Sequence, residues 1–300
     1  MASLASRLMP VVMTARGSKK RFSSVDATLA NLKQLQSRPA SSAPPSQINK
    51  IVDVSLHTVN GWMVYKISPR DITAPRRALY LHGGCYVYEI ALQHWLLIAK
   101  LAVSTSATFV VPIYPLAPTE TASSIVPRVT EMAAELIDEV GADLVSILGD
   151  SAGGGMALAV AMQLRDRGLP ALHQTVLISP WLDISGTDPA LAAIAPRDPW
   201  LAIPGTHAVG AIYRGELAEN DPIVSPIYGD LTGLGPITMF SGTRDILNAD
   251  ARRFARKARD AGLSLDYHQL PGMIHVYPLL PIPEATEAQR IITRAMTRRN

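Results

Sequence analysis

The stretch Gly149-Asp150-Ser151-Ala152-Gly153-Gly154-Gly155 constrains this chain more than any other. Before it, residues 143–148 form a short apolar run that reads as a fully buried strand. After it, residues 156–167 are rich in Ala and Leu, read as a helix, and are stopped by Gly168 and Pro170. A strand that turns at once into a helix forces its central residue into a strained backbone conformation. It also leaves no room for side chains two positions to either side, which accounts for Gly149 and Gly153. The turn lifts the Ser151 hydroxyl off the sheet edge and over a helix N-terminus, where free N–H groups and a partial positive charge favour an anion. A glycine-rich turn with an incidental serine has the same composition, so the motif needs partners elsewhere in the chain.

Those partners depend on the sheet. Residues 51–56 and 62–67 flank Asn60-Gly61, a hairpin signal. From residue 78 onward, strands at 78–81, 109–113, 143–148, 175–179, 237–240 and 265–270 alternate with helices at 92–103, 124–140, 156–167, 249–261 and from about 284. This alternation predicts an α/β fold with a mostly parallel, eight-stranded sheet and helices on both faces. It breaks at 180–226, a Pro-, Ala- and Trp-rich insertion with a helix-like piece at 204–213, which reads as a cap near the strand ends. The first fifty residues also stand apart. Ser24 caps a helix with Val25, Leu29, Leu32 and Leu35 on one face, and 36–47 is a Ser/Pro/Ala linker, so this segment is expected to pack over the sheet domain.

Composition removes several classes of function. With 300 residues, 48% hydrophobic and 18% charged, the chain suits a soluble globular protein with a sizeable core. A net charge of +3 and the absence of a basic run interleaved with aromatics argue against nucleic acid. Lys19-Lys20-Arg21 and Arg298-Arg299 read as solvated. The single cysteine, Cys85, excludes an intrachain disulfide, and the seven scattered histidines give no metal-ligand spacing. Residues 1–12 are broken by Arg7 and Pro10 and make a poor signal peptide, and no run approaches the ~20 apolar residues of a membrane span. A cytoplasmic enzyme without metal or cofactor is the default expectation.

A serine hydroxyl is a weak nucleophile and needs a base, which in turn needs an orienting acid. Both belong on loops after later strands of the same sheet. Asp245 follows the strand at 237–240 and is expected to be the acid; His275 follows the strand at 265–270 and is expected to be the base. The other candidates fit structural positions better. His268 lies within a strand, His57 and His173 border strands, and His94 and His207 lie in helical stretches. Asp150 should point away from its neighbour Ser151, while Asp221 and Asp230 lie in the insertion and its exit loop. An oxyanion on the substrate would take N–H groups from Ala152 and from the glycine loop His82-Gly83-Gly84-Cys85, giving Gly83, Gly84, Cys85 and Ala152 as donors. Tyr86, Trp181, Trp200 and Tyr213 are candidates for lining a small apolar pocket under the cap, although core packing suits each of them equally well.

His82-Gly83-Gly84-Cys85-Tyr86, Tyr114-Pro115-Leu116-Ala117-Pro118, the serine stretch, Asp221-Pro222-Ile223-Val224-Ser225-Pro226 and Gly272-Met273-Ile274-His275 together resemble the hormone-sensitive-lipase-like esterases, over roughly residues 50–300. The resemblance implies an α/β-hydrolase fold, with a catalytic domain at 51–300 and a cap built from 1–50 and 180–226. It implies a bacterial-type carboxylesterase or acetyl-hydrolase acting on small-molecule esters, with the triad Ser151, Asp245 and His275, and matches the α/β-hydrolase order of triad members. The chain departs from the family pattern at Cys85, where a third glycine is usual, at Glu89 for a glycine, at Pro115 for an arginine, and at Val276 for a glycine. These departures are expected to change pocket shape, not to remove catalysis. An amidase, a deacetylase or an acyltransferase would use the same triad. A non-catalytic receptor on this fold would lack the triad histidine, which is present here. An edge strand among the last βα units leaves a homodimer open.

Overall fold

The computed structural model describes residues 3–70 and 72–298. The chain opens with α1 (Leu4–Ala15), a 3₁₀ turn at Ser18–Phe22 and α2 (Val25–Ser37). The Ser24 side chain caps α2 by accepting from the Ala27 N–H at 3.1 Å, as its position predicts. The buried face of α2 differs from the expected one. Thr28 and Leu32 are buried, whereas Val25 and Leu29 are 48% and 38% exposed. The Thr28 hydroxyl donates to the Arg21 carbonyl at 3.0 Å and so turns this side of the helix toward the preceding turn. Helix α1 was hidden in the sequence by Pro10, which lies buried inside it. Ser3 caps α1, and the Ser3 and Ser6 hydroxyls donate to Glu284 at 2.9 and 3.0 Å, tying the helix to the far end of the chain.

The sheet begins with β1 (Val52–Val59) and β2 (Trp62–Pro69), joined at Asn60 (φ 49°) and Gly61 (φ 85°), the two positive φ values that a tight hairpin demands. Then follow β3 (Arg76–Leu81), α3 (Leu92–Thr105), β4 (Ala107–Ile113), α4 (Ala122–Val140), β5 (Val145–Asp150), α5 (Ala152–Asp166) and β6 (Gln174–Ile178). The insertion carries α6 (Ala190–Ile194) and α7 (Ile203–Arg214). After it come β7 (Ile237–Arg244), α8 (Asn248–Asp260), β8 (Leu265–Ile274) and α9 (Pro283–Thr297). The strand order is β1-β2-β4-β3-β5-β6-β7-β8. β2 is antiparallel to both its neighbours, and every pair from β3 to β8 is parallel.

Alternation along the strands builds two cores. Leu79, Leu81, Ile147, Leu177 and Met239 face the side that packs with α4, α5 and α8. Ala78, Tyr80, Leu148, Val176 and Phe240 face the side that packs with α3 and α9. Every residue of β5 is buried, so its C-terminal end is a fixed platform at the middle of the sheet. β7 and β8 run four residues further than their apolar runs imply, because pairing resumes at Arg244↔Ile274 past an irregularity after Gly242. A Cβ at Gly242 would collide with the Met273 carbonyl, so this crossing admits only glycine. The N-terminal segment meets the insertion: α2 packs on α7, a Cβ at Gly205 would come within 2.6 Å of the Phe22 Cβ, and the Lys19 Nζ donates to the Ala195 and Asp198 carbonyls at 2.5 and 2.7 Å.

Candidate active site

Ser151 stands between β5 and α5 at φ 52° and ψ −120°, a conformation that costs a non-glycine residue on the order of 1–3 kcal/mol. The surroundings hold it there. Its N–H donates to the Ile178 carbonyl and its carbonyl accepts from the Trp181 N–H, both at 2.8 Å. A Cβ on Gly149 would strike the Gly153 carbonyl, and a Cβ on Gly153 would strike the Leu81 carbonyl and come within 2.6 Å of the His82 carbonyl. The two glycines are thus required by close approach, to each other and to β3.

Asp245 and His275 each directly follow an extended strand, β7 and β8. The His275 Nε2 lies 2.9 Å from the Ser151 Oγ and its Nδ1 lies 2.8 Å from the Asp245 Oδ2. Ser151, Asp245 and His275 are 5%, 0% and 3% exposed. The other Asp245 oxygen accepts from the Leu247 N–H at 3.0 Å, which fixes the carboxylate plane. Burial alone would lower the His275 pKa, but the Asp245 charge and hydrogen bond, aided by Asp198 and Asp150, carry it above its ordinary value. The rival groups lie elsewhere. His268 pairs with Asp266 at 2.9 Å, His57 bonds Ser55, and Asp221 and Asp230 cap their own turns at Ile223 and Thr232.

The glycine loop after β3 is fastened to the serine turn by Asp150. Its Oδ1 accepts from the Gly83 N–H and the Tyr80 hydroxyl, each at 2.9 Å, and its Oδ2 lies 3.1 Å from the His94 Nε2. The His94 Nδ1 accepts from the Ala91 N–H at 2.8 Å, so its Nε2 carries the proton that points at Asp150. Burial opposes ionisation of Asp150, yet His94, Tyr80 and the Gly83 N–H keep its pKa below the usual carboxylate value. One expected oxyanion donor is corrected by this. The Gly83 N–H is already committed to Asp150, and a Cβ at Gly83 would collide with that carboxylate. The N–H groups of Gly84, Cys85 and Ala152 donate to no group among the described residues.

A model of the alpha/beta hydrolase fold family matches residues 78–279. The chain belongs to that family, within its hormone-sensitive-lipase-like esterase branch. It is 34% identical to a triacylglycerol lipase of Mycobacterium tuberculosis over 79% of this chain, and spans only 50% of that lipase's length. It is 31% identical to an acetyl-hydrolase of Streptomyces hygroscopicus, covering 69% of this chain and 71% of the relative. Among solved structures, an esterase from the bacterial hormone-sensitive lipase family superposes with a TM-score of 0.82 at 26% identity, covering 99% of each chain.

Within this esterase branch, the chain's departures acquire a backbone meaning. Cys85 and Val276 stand where glycine is usual, and they have φ 53° and 49°, the left-handed region that glycine enters without strain. Val276 is held there by its N–H, which donates to the Ser179 Oγ at 3.0 Å. Burial pushes the Cys85 thiol up to about 12, so it stays protonated. Burial also raises the Glu89 carboxyl.

The four candidate aromatics divide. Tyr86 and Tyr213 stack at 3.4 Å, Trp181 lies 5.7 Å from Tyr86, and all three are buried. The Tyr86 hydroxyl donates to the Ala152 carbonyl at 2.9 Å, so this wall is fastened to the first turn of α5. The Trp200 ring stands edge-on to His275 at 5.7 Å and 88°. Two residues before it lies Asp198, a residue that sequence reasoning missed. Its Oδ1 accepts from the Trp200 and Leu201 N–H groups at 2.8 and 2.9 Å, and its Oδ2 from the Ile246 N–H at 2.9 Å. Asp198 thus joins the insertion to the loop that carries Asp245. The only sequence signal was an Asp-Pro-Trp within a Pro-rich stretch that has no periodicity. Among the described residues, no group of three or more His, Cys, Asp or Glu side chains is arranged to hold a metal ion.

Proposed function

We propose that this chain is a carboxylesterase that cleaves short-chain acyl or acetyl esters through a covalent acyl-enzyme. The observation that carries the reading is the unbroken line Asp245–His275–Ser151, at 2.8 and 2.9 Å, together with the N–H groups of Gly84, Cys85 and Ala152, which have no acceptor among the described residues. Ser151 Oγ attacks the ester carbonyl carbon while its proton passes to the His275 Nε2. The carbonyl oxygen, now negative, accepts from the N–H groups of Gly84, Cys85 and Ala152; removing one such donor typically costs about 3 kcal/mol. Collapse of the intermediate breaks the bond to the alcohol oxygen, which leaves with the proton from His275. A water molecule then gives its proton to His275, adds to the acyl carbon and releases the acid, restoring Ser151.

The stacked, buried rings of Tyr86, Tyr213 and Trp181, fastened to the first turn of α5 by the Tyr86 hydroxyl, support a short acyl site. The contacts of Lys19 and Phe22 with the insertion support a cap assembled from residues 1–50 and 180–226 over a catalytic domain at 51–300. Purified Ser151→Ala is expected to lose turnover of p-nitrophenyl acetate by at least about 10⁴-fold while keeping its melting temperature. Full turnover by this variant would overturn the mechanism. Across p-nitrophenyl esters of increasing length, kcat/KM should peak at acetate or butyrate, and a peak at palmitate would overturn the substrate class.

A further inference from the structure

Helix α1 has two apolar faces, and the protein covers one. Ser6, Pro10 and Met13 are buried, and Met9 packs against the core on the α3 and α9 side of the sheet. On the opposite side, Leu4, Leu8, Val11 and Val12 are 74%, 52%, 63% and 40% exposed. Their spacing of i, i+4, i+7 and i+8 places all four on one stripe about 100° wide. A stripe of large aliphatic side chains facing solvent marks a surface that meets something apolar.

The charges around it identify what that is. Residues 1–25 contain five Lys or Arg and no Asp or Glu. Lys19 is held by the insertion, while Arg7, Arg16, Lys20 and Arg21 are exposed and form no salt bridge among the described residues. By helical position, Arg7 and Arg16 border the apolar stripe on its two sides, where long cationic side chains extend from an apolar layer to its polar boundary. Helix α1 has 12 residues and is about 18 Å long, too short for a hydrocarbon core of roughly 30 Å. Among the described residues no helix is long and apolar enough to cross a membrane.

We infer that α1 is a docking helix for an anionic lipid surface. It lies in the plane of the interface, with Leu4, Leu8, Val11 and Val12 among the upper acyl chains and Arg7, Arg16, Lys20 and Arg21 against headgroup phosphates. A second copy of the chain is a poorer occupant. A two-fold contact through the same stripe would bring the cations of both copies together, and the neighbouring carboxylate, Glu284, is already engaged by Ser3 and Ser6.

The test is co-sedimentation of the full chain with vesicles of phosphatidylglycerol and phosphatidylcholine, compared with phosphatidylcholine alone. The chain should pellet with the anionic vesicles, less so as salt rises. The Leu8→Glu/Val11→Glu double variant should weaken this partition by at least roughly tenfold, and Arg7→Gln/Arg16→Gln should remove the preference for anionic lipid. Unchanged melting temperatures for these exposed substitutions separate lost docking from lost folding. The proposal is overturned if the wild-type chain stays in solution beside anionic vesicles, or if both variants pellet as it does. A dimer by light scattering that Leu8→Glu dissolves would also overturn it, by assigning the stripe to a second copy.

Discussion

His275 works under the field of three carboxylates, Asp245, Asp198 and Asp150, which approach from different parts of the chain. Asp245 bonds its Nδ1 directly, and Asp198, pushed up to about 6 by burial and by the Asp245 charge, adds to the field that holds a proton on the ring. A base acts deprotonated, so everything that raises its pKa moves the acid limb of kcat/KM to higher pH. Asp198→Asn should therefore shift that limb to lower pH. A limb that does not move would reduce Asp198 to a loop cap. Backbone contacts set a second expectation at this scale. Gly149→Ala forces a Cβ into the Gly153 carbonyl and should lower stability by about 2 kcal/mol or more, read as a fall in melting temperature together with lost turnover. That Ser151, Asp245 and His275 come together was legible because each stands at the end of an apolar strand, where a sheet presents side chains to one edge. Asp198 was not, because its partners are backbone N–H groups from distant loops, and no pattern of residue types announces them.

At the scale of elements, the β/α alternation from β3 onward could be read directly, since apolar runs of strand length cannot be buried otherwise. Ends and attachments could not. The last residues of β7 and β8 are paired across a glycine crossing, and α1 survives a proline because it is docked through Ser3 and Ser6 to Glu284. The stripe expected to bury α2 was half misassigned, as Thr28 turns inward in place of Val25. The tie of greatest consequence is Lys19, whose ammonium clasps the carbonyls of Ala195 and Asp198. Lys19→Met removes that clasp without touching the sheet. It should speed amide hydrogen exchange across residues 195–201 and lower kcat/KM, while exchange in β5 and α5 stays as in the wild-type chain. Unchanged exchange at 195–201 would show that the insertion holds its shape without the N-terminal segment.

At the scale of the whole molecule, Asp250 on α8 has both carboxylate oxygens buried without a hydrogen-bond partner among the described residues, the Arg253 guanidinium lying 4.0 Å away. Burial raises its pKa from 3.8 to about 7, the charges of Asp183 and Asp188 add to the rise, and Arg253 opposes it. The folded value lies above the unfolded one, so the stability tied to its proton is complete below pH 3.8 and is lost as pH rises through about 7. Asp250→Asn should gain melting temperature over the wild-type chain by an amount that grows from about pH 4 to 7 and then levels off. A gain independent of pH would remove Asp250 as the cause. The near closure of the centre has a kinetic consequence as well. With Ser151 only 5% exposed, and on the proposed reading of residues 1–50 and 180–226 as a cap, a covalent phosphonate probe is expected to react only when that cap opens. Its labelling rate should then rise with probe concentration only until opening limits it, and that plateau is a direct clock for the motion that admits substrate.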